Sequence, residues 1–205
     1  MDCVKAFLFV GLGNPGPRYN HTRHNIGFSW IDRVCELFPN VGWQERFEAH
    51  WLHVPFGDIE VHLLKPMTFM NISGKSVLAW KKKFQADSRT LVVMDDLDLG
   101  LGTLRLRPSG GDGGHKGLRS IMECLGTENI ARLRLGVGRP QTEAKDYVLE
   151  KFSPKEREIV EELMDAVPEH FEILCRESFD SAMNKINAWR SKLAKADAEL
   201  QKDNE

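Results

Sequence analysis

Hydrophobic and polar positions follow two periods along this chain, and together they predict alternating strands and helices. Lys5–Leu12 reads as a buried strand, because its apolar stretch Ala6–Val10 is continuous and ends at Gly11. Gly27–Phe38 puts Phe28, Ile31, Val34, Cys35 and Phe38 on one helical face, and Pro39 stops it. Phe47–Val54 alternates, Pro55-Phe56-Gly57-Asp58 turns, and Ile59–Leu64 returns, which predicts a hairpin with a longer loop. Ser73–Phe84 reads as a helix, Thr90–Met94 and Gly102–Arg107 as strands, Lys116–Leu125 as a helix and Arg132–Val137 as a strand. Ser153-Pro154-Lys155-Glu156 joins an N-cap, a proline in the first turn and a capping-box glutamate. The helix it starts is expected to reach about Arg176 with a kink at Pro168, and a last helix begins near Ser178. Ser191–Glu205 is polar and expected to be a frayed tail.

Strands and helices interleave early and helices close the chain. The expected fold is therefore a single α/β domain over 1–190, a mixed twisted sheet flanked by helices with further helices at the C-terminus. The 205 residues suffice for one core and are short for two. No apolar run approaches a membrane span, and the start lacks a signal-peptide pattern, so the expected location is cytoplasmic. Cys3, Cys35, Cys124 and Cys175 form no CxxC pair, and Cys35 and Cys175, among apolar residues at helical spacing, read as small buried hydrophobes. Residues 1–145 hold 19 Lys and Arg against 15 Asp and Glu, whereas 146–205 hold 9 against 15. The basic excess falls where the glycine-rich segments lie, so a polyanion could bind there.

Gly11-Leu12-Gly13-Asn14-Pro15-Gly16 matches the dinucleotide fingerprint in letters only. Pro15 holds Asn14 extended, and a polar stretch follows where a helix should open. The better reading is a sharp turn at a strand end that presents Asn14. His21 and His24 with Asp95, Asp96 and Asp98 could suggest a metal, but no HExxH-type pattern exists and none is expected. A histidine at the mouth of a sheet suits acid–base work, because an unperturbed imidazole titrates near neutrality. A carboxylate from Asp95–Asp98, past a buried strand, could orient it. Asn71 and Ser73 join a strand end to a helix start and could simply cap it. The glycine-rich Pro108–Leu118 reads as a mobile loop running into a helix, without P-loop spacing. Its amides, Lys116 and Arg119 could bind phosphate.

In order along the chain, five blocks resemble the bacterial-type peptidyl-tRNA hydrolase family. They are Val10–Gly16 with Tyr19 and Thr22–Asn25, Pro66–Lys75, Asp95–Leu99, the glycine-rich segment before His115, and Arg132–Gly138. The resemblance implies a single α/β domain, usually monomeric, without cofactor or metal, that hydrolyses the ester of peptidyl-tRNA. It implies His24 as catalytic histidine, Asp95 as its carboxylate and Asn14 as the sensor of a blocked peptide. Tyr19, Phe69 and Asn71 match substrate-binding positions, and His115 and Lys116 fall in a substrate-positioning segment. Lys116, Arg105, Arg107 and Arg134 are candidates for tRNA phosphate, along with Lys81–Lys83. Where the family usually has histidine and asparagine, this chain has Met94 and Lys116, and Asp112 stands where histidine or a small residue is common. The competing reading is a non-catalytic RNA-binding or RNA-processing protein on the same fold.

Overall fold

A computed structural model describes residues 5–84, 88–139 and 143–196. Among the described residues, seven strands form one mixed sheet in the order β2-β3-β4-β1-β5-β7-β6. They are β1 (Lys5–Gly11), β2 (Gln44–Arg46), β3 (Ala49–Phe56), β4 (Ile59–Pro66), β5 (Arg89–Asp96), β6 (Leu104–Arg107) and β7 (Ala131–Gly136). β1 pairs parallel with β4 and β5, and β5 parallel with β7, while β2, β3 and β6 add antiparallel edges.

Alternation along the central strands feeds two cores. Phe7, Phe9, Leu91 and Val93 face α1 (Ile26–Cys35), α5 (Pro154–Asp165), α6 (Val167–Arg176) and α7 (Phe179–Ala188). Leu8, Val10, Val92 and Met94 face α2 (Gly74–Phe84) and α3 (Lys116–Leu125). Trp30 and Trp80, one in each core, are fully buried. A fully buried large apolar side chain contributes about 1.5–3 kcal/mol. Close approach of α1 to the sheet depends on Gly27, where a Cβ would meet the carbonyl oxygens of Val93 at 2.5 Å and Leu12 at 2.6 Å.

Several expectations change in detail. The hairpin is tighter: Phe56 pairs with Ile59, so only Gly57 and Asp58 turn, and Pro55 lies within β3. Proline is tolerated there because β2 pairs only with Ala49–Trp51 and leaves the far half of β3 as an edge. β2 itself was not foreseen. The expected helix from Pro154 to Arg176 breaks at Ala166 rather than bending at Pro168, which sits in the first turn of α6. The short α4 (Ala144–Tyr147) is new. Ser191, expected in the tail, is fully buried and donates to Glu162 at 2.5 Å, and a helical turn follows over 192–196. The rest of the expected tail and Cys3 lie outside the described residues. Of the remaining cysteines, Cys175 is buried and Cys35 and Cys124 are half-buried.

Candidate active site

The carboxyl ends of β1, β4 and β5 open on one cavity of about 1080 Å³, on the strand-end side where open α/β sheets collect their sites. Each strand delivers one part. After β1 the chain turns through Gly13-Asn14-Pro15-Gly16, where Gly16 takes a φ of 107°, and reaches His24 in a 3-10 turn just before α1. β4 leads into a second 3-10 turn, Met70–Ile72, which carries Asn71. β5 ends on Asp95 and Asp96.

Asp95 is 3% exposed, and its Oδ1 lies 2.8 Å from His24 Nδ1 and 3.0 Å from His115 Nε2. Burial pushes its carboxyl up, but the two imidazoles, His24 foremost, more than reverse this and hold it well below the usual carboxylate range. An ionised carboxylate only accepts, so both rings donate to it. His115 reaches the same tautomer from its other side. Its Nδ1 accepts the Gly117 and Leu118 N–H groups at 3.2 and 3.3 Å and so caps α3. That fixes the proton of His115 on Nε2. In a neutral His24 ring, donation from Nδ1 makes Nε2 the acceptor, and the ring lines the cavity.

The same three side chains place ligand atoms within 4.8 Å of one another, a reach that could hold a metal ion. Such an ion would have to replace both N–H protons. On His115 it would also take away the acceptor that caps α3, because a ring ligating through Nε2 carries its proton on Nδ1. The donor set thus fits protons better than a metal.

Asn14 is held on three sides. Its N–H donates to Asn25 Oδ1 at 2.8 Å, its carbonyl accepts from Asn25 Nδ2 at 2.9 Å, and its own Oδ1 accepts the Met70 N–H at 2.9 Å. With the oxygen occupied, the amide NH₂ is the end left to act on a guest, and Asn14 lines the cavity. Asn71 is exposed and lines it too.

The glycine-rich segment is tied down, contrary to the mobile loop expected. Buried Arg132 donates to the carbonyls of Gly110 at 2.7 Å and Gly111 at 2.9 Å, and Asp112 receives two bonds from Arg119 and one from the Gly114 N–H. Gly110, Gly113 and Gly114 sit at φ values of 134°, 58° and 82°, which explains why glycine occurs there. On β6 and β7, Arg105 pairs with Arg134 and Arg107 with Arg132, on the opposite face from Leu104, Leu106, Leu133 and Leu135. Arg107, Arg132, Arg134 and Lys116 line the cavity, and Arg134 bonds Asp96.

Among the residues expected from sequence, His24, Asp95, Asn14, Asn71, His115, Lys116, Arg107 and Arg134 therefore meet at one cavity. Tyr19, Phe69 and Arg105 lie outside its wall. Tyr19 is stacked under Arg18, and Phe69, 52% exposed, precedes the wall residue Met70. Asp96 binds Arg134 rather than a histidine, and His21 does not join the cluster of Asp95 and His24. Sequence reading missed Asn25, Arg23 and the segment 143–152, because their partners are remote or are backbone atoms.

The protein-family model described as peptidyl-tRNA hydrolase matches residues 8–196. A peptidyl-tRNA hydrolase of Syntrophomonas wolfei is 41% identical over 181 residues, covering 88% of this chain and 99% of its own. One from Carboxydothermus hydrogenoformans is 42% identical over 183 residues, covering 88% and 98%. The crystal structure of peptidyl-tRNA hydrolase from Acinetobacter baumannii superposes with a TM-score of 0.84 at 33% identity, covering 93% of this chain and 99% of that one. With the family model spanning nearly the whole domain and both sequence relatives aligned almost end to end, this chain belongs to the peptidyl-tRNA hydrolase family.

Proposed function

We infer that the protein hydrolyses the ester between a peptide and the terminal ribose of its tRNA, with His24 as general base and without a metal. The observation that carries the reading is the pairing of His24 Nδ1 with the buried, ionised Asp95 at 2.8 Å, which leaves Nε2 free to take a proton. Water gives that proton to Nε2 as its oxygen bonds to the ester carbonyl carbon. Asp95 stabilises the imidazolium that forms. The tetrahedral oxyanion then collapses, the carbon–ribose oxygen bond breaks, and the imidazolium returns the proton to the ribose oxygen. A base of this kind contributes about 10²–10⁴-fold.

The other groups receive roles by their chemistry. The Asn14 amide NH₂ would donate to the carbonyl that acylates the substrate nitrogen, a group absent from aminoacyl-tRNA. Asn71 would place the reacting carbonyl, and donors aimed at an oxyanion contribute about 10²–10³-fold. Phe69 and Tyr19 would flank the bound chain at the rim. His115 spends both nitrogens inside the protein, so it would orient Asp95 rather than bind substrate. Lys116, Arg107 and Arg134, with Arg105 beside them, would take tRNA phosphates, which fixes position without reading sequence. The enzyme would act as a monomer, since one chain supplies every group named, and in the cytoplasm, the location expected for a translation-related enzyme of this family. Among the described residues no helix is long and apolar enough to cross a membrane.

The test is release of N-acetyl-aminoacyl groups from tRNA in the presence of EDTA, beside unblocked aminoacyl-tRNA. Full turnover of the blocked substrate and little of the free one is expected. Activity that disappears with the chelator and returns with a divalent ion would replace the metal-free reading. Retained RNA binding without turnover would favour the non-catalytic alternative.

A further inference from the structure

We propose that Arg23 is a positioning residue for this reaction: its buried guanidinium latches the segment 143–152, one wall of the cavity, onto the loop that carries His24. The proposal rests on the reading of His24 as base and extends it to the part of the fold that holds His24 in place.

Arg23 is only 4% exposed and does not line the cavity, so it acts through its neighbours. Its Nη1 donates to the Lys151 carbonyl at 2.8 Å and its Nη2 to Glu156 Oε1 at 2.6 Å. The guanidinium lies over the Tyr147 ring, 4.2 Å from its centroid, and within 4.9 Å of that of Phe152. The backbone repeats the connection: the Arg23 N–H donates to the Glu150 carbonyl at 3.0 Å, and the His24 N–H to the Val148 carbonyl at 2.8 Å. Val148 lines the cavity, as do Ala144, Lys145 and Leu149. Glu156 supplies the fixed post. One oxygen takes the guanidinium and the other accepts the Ser153 N–H at 2.7 Å in the capping box of α5. Through Arg23 the start of α5, the cavity wall and the base share one rigid connection.

Charge alone does not account for this arrangement. A planar fork satisfies a carbonyl and a carboxylate while two rings flank it, and a lysine ammonium has neither the plane nor the second arm. If the wall loosens, the His24 backbone loses its Val148 acceptor and the ring loses its register with Asp95. A displacement of about 1 Å in a reacting group can cost on the order of 10²-fold in rate.

The experiment measures kcat and KM for N-acetyl-aminoacyl-tRNA with the full chain as Arg23→Lys, Arg23→Ala, His24→Ala and Ile186→Ala, alongside urea midpoints. Ile186, buried on α7 in the core away from the cavity, controls for lost stability. Arg23→Lys is expected to fold and to lose at least tenfold in kcat, whereas Ile186→Ala, though destabilised as much or more, keeps kcat within twofold. Arg23→Ala can fail to fold, and the lysine variant then decides alone. A folded Arg23→Lys enzyme with kcat within twofold of wild type, beside an inactive His24→Ala, removes the latch and leaves the base intact. An Ile186→Ala enzyme that loses kcat in step with its midpoint also overturns the latch. A fully active His24→Ala enzyme overturns the base and the latch together.

Discussion

Asp95→Asn isolates what the buried carboxylate contributes, because it changes charge and almost no volume. In the wild type one oxygen accepts from two imidazoles at 2.8 and 3.0 Å in a site 3% exposed. When His24 takes a proton from water, a positive charge forms beside this anion. Two unit charges about 4 Å apart interact by roughly 4 kcal/mol at an effective dielectric constant of about 20. The asparagine carbonyl can keep one hydrogen bond to His24, which retains about 1 kcal/mol. The net loss of about 3 kcal/mol corresponds to roughly 10²-fold in kcat, at ~1.4 kcal/mol per decade. KM should change little, since Asp95 does not touch tRNA in this scheme. The same substitution has a signature in stability. The folded carboxyl stays ionised to lower pH than the unfolded one, so as pH falls the unfolded chain takes up the proton first. The contribution of Asp95 is full above about pH 4 and is lost below it. Single-turnover release of N-acetyl-aminoacyl groups gives the rate, and urea midpoints at pH 5 and pH 3 give the stability. Asp95→Asn should show the fall in rate together with a smaller loss of stability between those pH values. A variant that keeps more than a third of the wild-type kcat would refute the charge argument.

Four further outcomes are expected. His115→Asn keeps an acceptor for the α3 cap but cannot reach Asp95, so it should lose less stability than His115→Ala, for which about 1 kcal/mol is expected from the cap, and equal thermal midpoints would remove the capping role. His170 is 2% exposed, neither of its ring nitrogens has a hydrogen-bond partner among the described residues, and burial lowers its pKa to about 4; His170→Phe should stabilise the fold by about 1–3 kcal/mol at pH 7. Because the folded ring stays neutral while the unfolded one protonates, wild-type stability should also drain as pH falls from about 6.5 to 4, more steeply than in His170→Phe, and parallel urea profiles would contradict this. Gly27→Ala drives a methyl into two backbone carbonyls and should cost about 1–3 kcal/mol or more, measured by urea unfolding. Lys116→Ala should weaken tRNA binding and reduce its salt slope by about one, and an unchanged slope would place Lys116 away from phosphate.

Much of the architecture was legible because it is local. Apolar runs and the capping box mark β1, β5, α3 and the start of α5, and Pro39 marks a boundary beyond α1. What failed was chemistry without a sequence signature. β2 and β3 join through Phe47 and Glu48 at φ values of 61° and 51°, where glycine or asparagine usually announces such a turn. In sequence the side chains on offer to His24 were His21 and the acidic run Asp95, Asp96 and Asp98. The structure instead brings in His115 from the end of the glycine-rich segment, and no periodicity could place its ring against Asp95. Arg23 looked like one more polar residue in a loop, since its acceptors are a backbone carbonyl and a glutamate more than a hundred residues away. The family resemblance supplied names for the site residues, but the tautomers and the clamp on Asn14 needed coordinates.

Everything turns on whether the unprotonated Nε2 of His24 takes the proton from water. The decisive measurement is single-turnover hydrolysis of N-acetyl-aminoacyl-tRNA by His24→Ala, with tRNA affinity and folding checked on the same preparation. A rate at least about 10²-fold below wild type, with binding retained, is expected. A correctly folded variant that cleaves within tenfold of wild type would show that some other group takes the proton.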